Sequence, residues 1–124
     1  MNMTREELCQ SITEDCVAIP QKFAGKNVRY GQGTDGFWNF TQGAQLCYGK
    51  QDIQAIYQML FSYASKHIVT LAAPDSIIND PEFEDRCSDI ALYFLIARAM
   101  KKSLNQSREE AYAKFVQTTH RHKD

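Results

Sequence analysis

Hydrophobic residues recur at helical spacing along most of the chain, and the clearest run starts at Asp52. From there to about Leu71, apolar positions follow the i, i+3, i+4, i+7 rule of an amphipathic helix. These positions are Ile53, Ile56, Tyr57, Leu60, Ala64, Ile68 and Leu71. No alternating run is long enough for a sheet, so the sequence predicts an all-α fold.

The stretch from Asp80 to Leu104 predicts one long helix. Asp80 suits the N-cap, Pro81 suits the first helical position, and acidic residues follow in the first turn. At about 100° per residue, an acidic stripe runs into an apolar stripe on the same face. The stripe consists of Glu82, Asp85 and Asp89, followed by Tyr93, Ile96 and Met100. The opposite side is also mostly apolar, so we expect this helix to be wrapped on most sides.

The N-terminal helix should start at a capping box formed by Thr4 and Glu7. Its apolar positions, expected to face inward, are Leu8, Ile12, Val17 and Ile19. Pro20 either kinks this helix or divides it in two, and both versions end near Phe23, with Gly25 as the C-terminal glycine.

Loops and two shorter helices complete the prediction. Residues 25–38 hold four glycines and no helical period, which predicts a long Gly-rich loop after the first helix. Asn39 can cap a short helix that Tyr48-Gly49 closes, and residues 72–79 form a connection. Ser107 starts a last helix, giving a helical bundle of four to five helices.

Length and charge bound the function. The 124 residues fit a single helical domain, 1–124, with a polar tail at 119–124, and a helical protein this small often completes its core by oligomerisation. A net charge of −1 without a basic stripe argues against binding nucleic acid or anionic membrane. With no long apolar run and no signal-peptide pattern, we expect a cytoplasmic protein. The four cysteines lack a CxxC pair, so we expect buried, reduced thiols.

The acidic stripe is the first candidate site. Carboxylates that lead into an apolar groove need a partner, because desolvating an isolated ion costs several kcal/mol. That partner is a divalent metal, a basic side chain or water. The alternative is that Asp85 and Asp89 lie on an exposed first turn.

The glycine-rich segment is the second candidate. Gly31, Gly33 and Gly36 spell GxGxxG, but no strand precedes them, which excludes a dinucleotide-binding βαβ unit. Cations and aromatic residues flank the segment and could bind the phosphates and base of a nucleotide. They are Lys22, Lys26, Arg29, Tyr30, Phe37, Trp38 and Phe40. The alternative, favoured for Phe37 and Phe40, is that they anchor the loop to the core.

Histidines and one lysine offer further chemistry. His67 lies within the apolar stripe of the Asp52 helix, where a hydrogen-bonded core histidine is favoured over a catalytic one. Lys66, at the edge of that stripe, could reach Asp85, Asp89 or a phosphate. His120 and His122 lie in the polar tail, which favours solvated side chains over a metal site.

The motif order resembles a known family over residues 22–100. The segments KNVRYG, WNF, SKHIVTL and EDRCSDIALYFLIAR, in this order, resemble small phage and bacterial relatives of the MazG-like, all-α nucleoside triphosphate pyrophosphohydrolases. The resemblance implies a helical bundle completed by oligomerisation as a homodimer or homotetramer. It also implies Mg²⁺-dependent hydrolysis of a (deoxy)nucleoside triphosphate to the monophosphate and pyrophosphate.

The resemblance also implies site residues. Asp85 and Asp89 match the acidic metal ligands, and Glu82 or Glu84 could add a ligand or a general base. Lys26, Tyr30, Asn39 and Lys66 match the remaining signature positions, with Arg29 beside them as a further nucleotide contact. Mg²⁺ bound by two carboxylates would neutralise charge on the leaving pyrophosphate.

Two departures from the family pattern support a different function. The E-E-x-x-E cluster of better-known members is missing, and Arg86 stands where a glutamate is usual. The alternative is therefore a non-catalytic helical module of phage origin that binds a nucleotide or another protein.

Overall fold

The computed structural model describes residues 2–30, 36–73 and 78–121, with the side chains of 26–30, 120 and 121 outside that description. Over these ranges the chain forms four α-helices and no strand, which confirms the all-α class. The helices are α1 (Arg5–Tyr30), α2 (Trp38–Tyr48), α3 (Ile53–Ala72) and α4 (Asp80–Arg121).

The boundary between α2 and α3 is set by a glycine at the end of α2 and a polar N-cap at the start of α3. Gly49 adopts a positive φ of 68°, and its amide donates to the Gln45 carbonyl at 2.9 Å, which ends α2. The Asp52 carboxylate accepts a hydrogen bond from the Ala55 amide at 2.9 Å, which starts α3. Both predicted positions are confirmed.

Helix α1 starts where it was predicted and ends later. The Thr4 hydroxyl accepts a hydrogen bond from the Glu7 amide at 3.1 Å. The helix then runs through Pro20 and Gly25 to Tyr30, so the predicted end near Phe23 is wrong. A proline removes one backbone hydrogen bond and a glycine costs about 1 kcal/mol, and a long helix can absorb both. In the rest of the predicted loop, residues 31–35 lie outside the described residues, Gly36 and Phe37 form a turn, and Trp38 already begins α2.

Helix α4 corrects two further predictions. Its N-cap is Asn79, whose side-chain oxygen accepts from the Glu82 amide at 2.9 Å, and Asp80 is the first helical residue. The helix continues without a break to Arg121, so the separate helix predicted at Ser107 does not exist. The Ser107 hydroxyl instead donates to the Ser103 carbonyl at 3.2 Å, as serines do inside a helix.

The core lies where α3 packs against both α2 and the first half of α4. Leu60 is fully buried, and Ile96 and Met100 bring the predicted apolar stripe of α4 into the same cluster. Phe40 is a core residue as predicted, and Phe37 packs against the cluster while only partly buried. The other buried side chains are Ala44, Ala55, Ile56, Met59 and Ala64.

Two parts of the chain remain outside this core. Of the four α1 residues expected to face inward, Leu8, Ile12 and Val17 are about half exposed and Ile19 is partly buried, so the prediction is wrong for the first three in the single chain. The expected wrapping of α4 is also incomplete, since Phe83 and Phe94 are about half exposed. The cysteines Cys9, Cys16, Cys47 and Cys87 are free as expected, but they are exposed and not buried.

No described helix combines the length and the apolar character that crossing a membrane requires.

Candidate functional site

The acidic stripe of α4 lies beside both α1 and α3. Glu82, Asp85 and Asp89 occupy the first three turns of α4, at spacings that place them on one face of the helix. Helix α1 approaches this face from one side and α3 from the other. The candidate catalytic and metal-binding residues therefore share a surface, as their sequence spacing predicted.

Asp85 forms an ion pair with α1. The Lys22 ammonium donates to the Asp85 carboxylate at 2.5 Å, and both side chains are about half exposed or more. This hydrogen bond, together with the charges of Asp85 and Asp89, raises the pKa of Lys22 above its ordinary value. The pair joins residues 63 positions apart in the chain, so helical spacing alone could not reveal it.

Arg86 links Glu82 to His67 of α3. Its guanidinium donates to the Glu82 carboxylate at 3.1 Å, and its Nη1 lies 3.2 Å from His67 Nδ1. Because arginine has no acceptor, Nδ1 must accept this hydrogen bond, which places the proton of a neutral ring on Nε2. That nitrogen lies 3.6 Å from Asp89 Oδ2, so His67 connects Arg86 to Asp89.

Aromatic rings adjoin this polar network on α3 and α4. Tyr93 lies against His67 with ring centroids 6.1 Å apart and against Tyr63 at 5.8 Å. Burial raises the pKa of both tyrosines above the ordinary value of 10.0, so both hydroxyls stay neutral in ordinary buffers. The Lys66 ammonium lies 5.9 Å from the centre of the Tyr63 ring, a cation–π distance.

The remaining predicted nucleotide contacts are not brought to the acids by described side chains. Lys26, Arg29 and Tyr30 lie in the last turns of α1, where the side chains are outside the description. Asn39 is a half-buried residue in the first turn of α2, which packs against α3. His120 and His122 likewise have side chains outside the described part of the chain.

The acidic residues do not fit a resident magnesium ion in this arrangement. Mg²⁺ needs oxygen ligands in near-octahedral geometry, whereas Asp85 faces Lys22, Glu82 faces Arg86 and Asp89 faces His67. Over residues 2–30, 36–73 and 78–121, no group of three or more His, Cys, Asp or Glu residues could hold a metal ion. The polar network is therefore a set of ion pairs and hydrogen bonds that ties three helices together.

A second feature is an open groove of about 500 Å³ between α1 and α4. Its apolar lining comes from side chains one turn apart on each helix: Ile12, Cys16 and Ile19 on α1, and Phe83, Cys87, Ala91 and Leu95 on α4. Asp15 and Glu84 add two carboxylates, and none of the described residues that line the groove is a lysine or an arginine. A groove with this lining suits apolar side chains better than the phosphates of a nucleotide.

Sequence reasoning missed this groove and the role of Arg86. The signal for Arg86 was its spacing of four residues from Glu82, which favours an ion pair on a helix. The groove could have been found from the apolar spacing of α1. That spacing also fits a helix that packs into the core of its own chain, which is what the sequence analysis predicts.

Comparison with known proteins adds no further information on the site. No protein-family model, no curated protein and no solved structure matches the chain significantly.

Proposed function

We propose that the chain is a non-catalytic helical module that binds protein through the apolar faces of α1 and α4. The observation that supports this proposal most strongly is the solvent exposure of α1. This helix spans 26 residues, and none of its described side chains is buried. A helix in water without a packed face is only marginally stable, so α1 needs a protein surface against it.

The contacts of α1 with its own chain are too weak to replace such a surface. The Lys22–Asp85 pair is solvent-exposed, and exposed ion pairs contribute at most about 1 kcal/mol. Phe23 packs against the core cluster and Ile19 lies near Ser88 and Leu92 of α4, but both side chains stay partly exposed. Packing against a partner would add about 25 cal/mol for each Å² of apolar surface removed from water.

The total exposed surface supports the same proposal. The chain exposes 9812 Å², and its mass is 14.2 kDa. A compact monomer of that mass exposes about 6800 Å², so this chain has an excess of about 3000 Å². Self-association as a homodimer or homotetramer is the simplest way to cover such a surface.

The polar network agrees with a binding role more than with metal-dependent catalysis. Glu82, Asp85 and Asp89 would have to leave Arg86, Lys22 and His67 before they could form a metal shell. Breaking these contacts would also loosen α1 and α3 from α4. In an interaction module the same contacts fix how the helices present their apolar faces.

Cross-linking in a cell lysate, followed by capture of the tagged chain, tests the proposal. Ile12→Glu places a charge on the apolar face of α1, and we expect it to remove the captured proteins, including further copies of the chain. Gln21→Glu makes the same charge change at an exposed polar position of α1 and should leave capture unchanged. Equal capture by both variants, or no capture by the wild type, would contradict an interaction role.

Nucleoside triphosphate pyrophosphohydrolase activity is a second candidate. The observation that favours it is the shared face of Glu82, Asp85 and Asp89, with Lys22 and His67 close to it. In that reading Lys22 and Arg86 would bind phosphate oxygens, and the acids would act together with the Mg²⁺ that accompanies the nucleotide.

Incubation with each dNTP and Mg²⁺ tests the second candidate through pyrophosphate release and a shift in melting temperature. An active enzyme should lose both signals in Asp89→Asn and keep them in Glu110→Gln, which changes an exposed acid in the second half of α4. No pyrophosphate and no thermal shift with the wild type would reject both hydrolysis and nucleotide binding.

A further inference from the structure

Charge is unevenly distributed along α4. The first ten residues, Asp80–Asp89, contain five acidic residues and one arginine, whereas Arg98–Arg121 contains six lysines or arginines and two glutamates. The whole chain carries a net charge of only −1, so this polarity belongs to the helix and not to the overall composition. Two such helices attract each other when they lie antiparallel, because each acidic half then faces a basic half.

The basic half of α4 carries an apolar face that no other described helix buries. Tyr112 is 70% exposed and Phe115 is 67% exposed, and Val116 lies on the same side of the helix. No residue from Lys101 to Thr119 is buried. At 1.5 Å per residue this half extends about 30 Å beyond the last core residue, Met100.

The groove between α1 and the acidic half of α4 is complementary to that face. Its lining is apolar, with Phe83 about half exposed and Leu95 partly exposed, and its carboxylates are Asp15 and Glu84. A helix that carries exposed aromatic residues and more lysines and arginines than glutamates would match both its apolar and its acidic character. The basic half of α4 meets this description.

We propose that a second copy of the chain occupies the groove: two α4 helices pair antiparallel, and Tyr112 and Phe115 of each copy insert between α1 and α4 of the other. The contact is made twice around a two-fold axis, as in a closed dimer. This inference rests on the proposed binding role of these faces and names the partner and the surface.

The exposed area is sufficient for this arrangement. A stable interface removes about 800 Å² from each partner, and obligate dimers remove more. The excess surface of this chain, about 3000 Å² over a compact monomer, exceeds both requirements. The pairing would also pack α1 between the α4 helices of the two copies, which gives α1 the buried face it lacks in the single chain.

Sedimentation velocity and light scattering of the purified chain test the pairing. We expect a species of about twice 14.2 kDa at micromolar concentration. Phe115→Glu should raise the dimer Kd by about tenfold or more, because it places a charge in an apolar, acidic groove. Gln117→Glu makes the same charge change on the opposite side of the helix and should leave the Kd unchanged. Far-UV circular dichroism verifies that both variants remain helical.

Thiol labelling identifies the surface independently of mass. Cys16 and Cys87 line the groove, whereas Cys47 lies on α2, and all are exposed in the single chain. In the dimer, Cys16 and Cys87 should react several-fold more slowly than Cys47. Phe115→Glu, or dilution to monomer, should restore their reactivity.

Three results would overturn the proposal: a monomer at all concentrations, a dimer in which Cys16 and Cys87 react as fast as Cys47, or equal Kd values for Phe115→Glu and wild type. The binding role is judged separately. If the chain is monomeric but captures other proteins through Ile12, the proposed binding function stands and only the pairing with a second copy is rejected. If the chain is monomeric and captures no protein, both the binding function and the pairing of two copies are rejected.

Discussion

Arg86 gives the acidic stripe of α4 a basic partner from within the same helix. From the sequence, the acidic stripe of Glu82, Asp85 and Asp89 requires a partner, which could be a divalent metal, a basic side chain or water. Arg86 supplies one basic side chain from within the stripe, and Lys22 supplies another from α1. Through its contacts with Glu82 and His67, Arg86 is therefore a structural link between α3 and α4.

Leu60 is the residue on which the core depends most. It is fully buried between α2, α3 and α4. Truncation in Leu60→Ala leaves a cavity, and we expect a loss of about 2–5 kcal/mol in the free energy of unfolding. Leu46→Ala makes the same change at an 87% exposed position of α2 and should stay within about 0.5 kcal/mol of wild type.

Urea denaturation at a fixed protein concentration measures both changes. Equal losses in the two variants would mean that the core is not centred on α3.

Because of Tyr93, the free energy of unfolding should decrease at alkaline pH. Burial raises its pKa above the unfolded value of 10.0, so its contribution is complete below about pH 10 and is lost as the pH rises through the folded pKa. Tyr63 and Lys22 also have raised pKa values and lose their contributions in the same alkaline direction. We expect the stability of wild type to fall above about pH 10, and that of Tyr93→Phe to fall less steeply.

Urea denaturation from about pH 8 to 11 measures the difference, and absorbance at 295 nm reports tyrosine ionisation. Identical slopes for wild type and Tyr93→Phe would show that Tyr93 is as accessible to water in the folded chain as in the unfolded one.

At the scale of helices, the sequence predicts some ends that are set by one polar residue or one glycine, whereas the N-caps expected at Asn39 and Asp80 lie instead at Phe37 and Asn79. Asp52 and Gly49 mark their helix ends because an N-cap hydrogen bond and a positive φ are local requirements. The ends predicted at Gly25 and Ser107 are wrong because those residues are also compatible with a helix interior. The difference comes from tertiary context, which can override a weak local preference.

Two glycine substitutions distinguish a glycine that ends a helix, Gly49, from a glycine inside a helix, Gly25. Gly49 has a φ of 68°, so Gly49→Ala should destabilise the chain by about 1 kcal/mol. Gly25 lies inside α1 with no atom within 4 Å of an added Cβ, so Gly25→Ala should stabilise that helix by up to about 1 kcal/mol.

Urea denaturation measures the first effect, and amide hydrogen exchange in α1 measures the second. Faster exchange in Gly25→Ala would contradict a helix that continues through this position.

The candidate site was predictable only in part, for a reason that concerns contacts between helices. The positions of Glu82, Asp85 and Asp89 on one face follow from helical spacing. Their partners Lys22 and His67 come from other helices, and no periodicity within α4 could select them. The groove between α1 and α4 was missed for the same reason, since its two walls are 70 or so residues apart in the sequence.

At the scale of the whole molecule, the charge polarity of α4 predicts a salt effect. If opposite halves of two α4 helices face each other, added salt screens their attraction. Raising NaCl from about 50 mM to about 500 mM should therefore increase the dimer Kd several-fold. The Gln117→Glu variant should respond like wild type.

Sedimentation equilibrium at both salt concentrations measures this effect. A Kd that is unchanged or smaller at high salt would indicate a contact governed by apolar surface alone, without charge complementarity.

The location of the core has a consequence for the order of folding. Among the residues with described side chains, all nine buried ones lie between Phe40 and Met100, in helices that are neighbours along the chain. Short loops close quickly, so this central unit should form in a first-order step whose rate does not depend on protein concentration. Ordering of α1 and of residues 101–119 should follow in a slower second-order step, because it requires collision with a second chain.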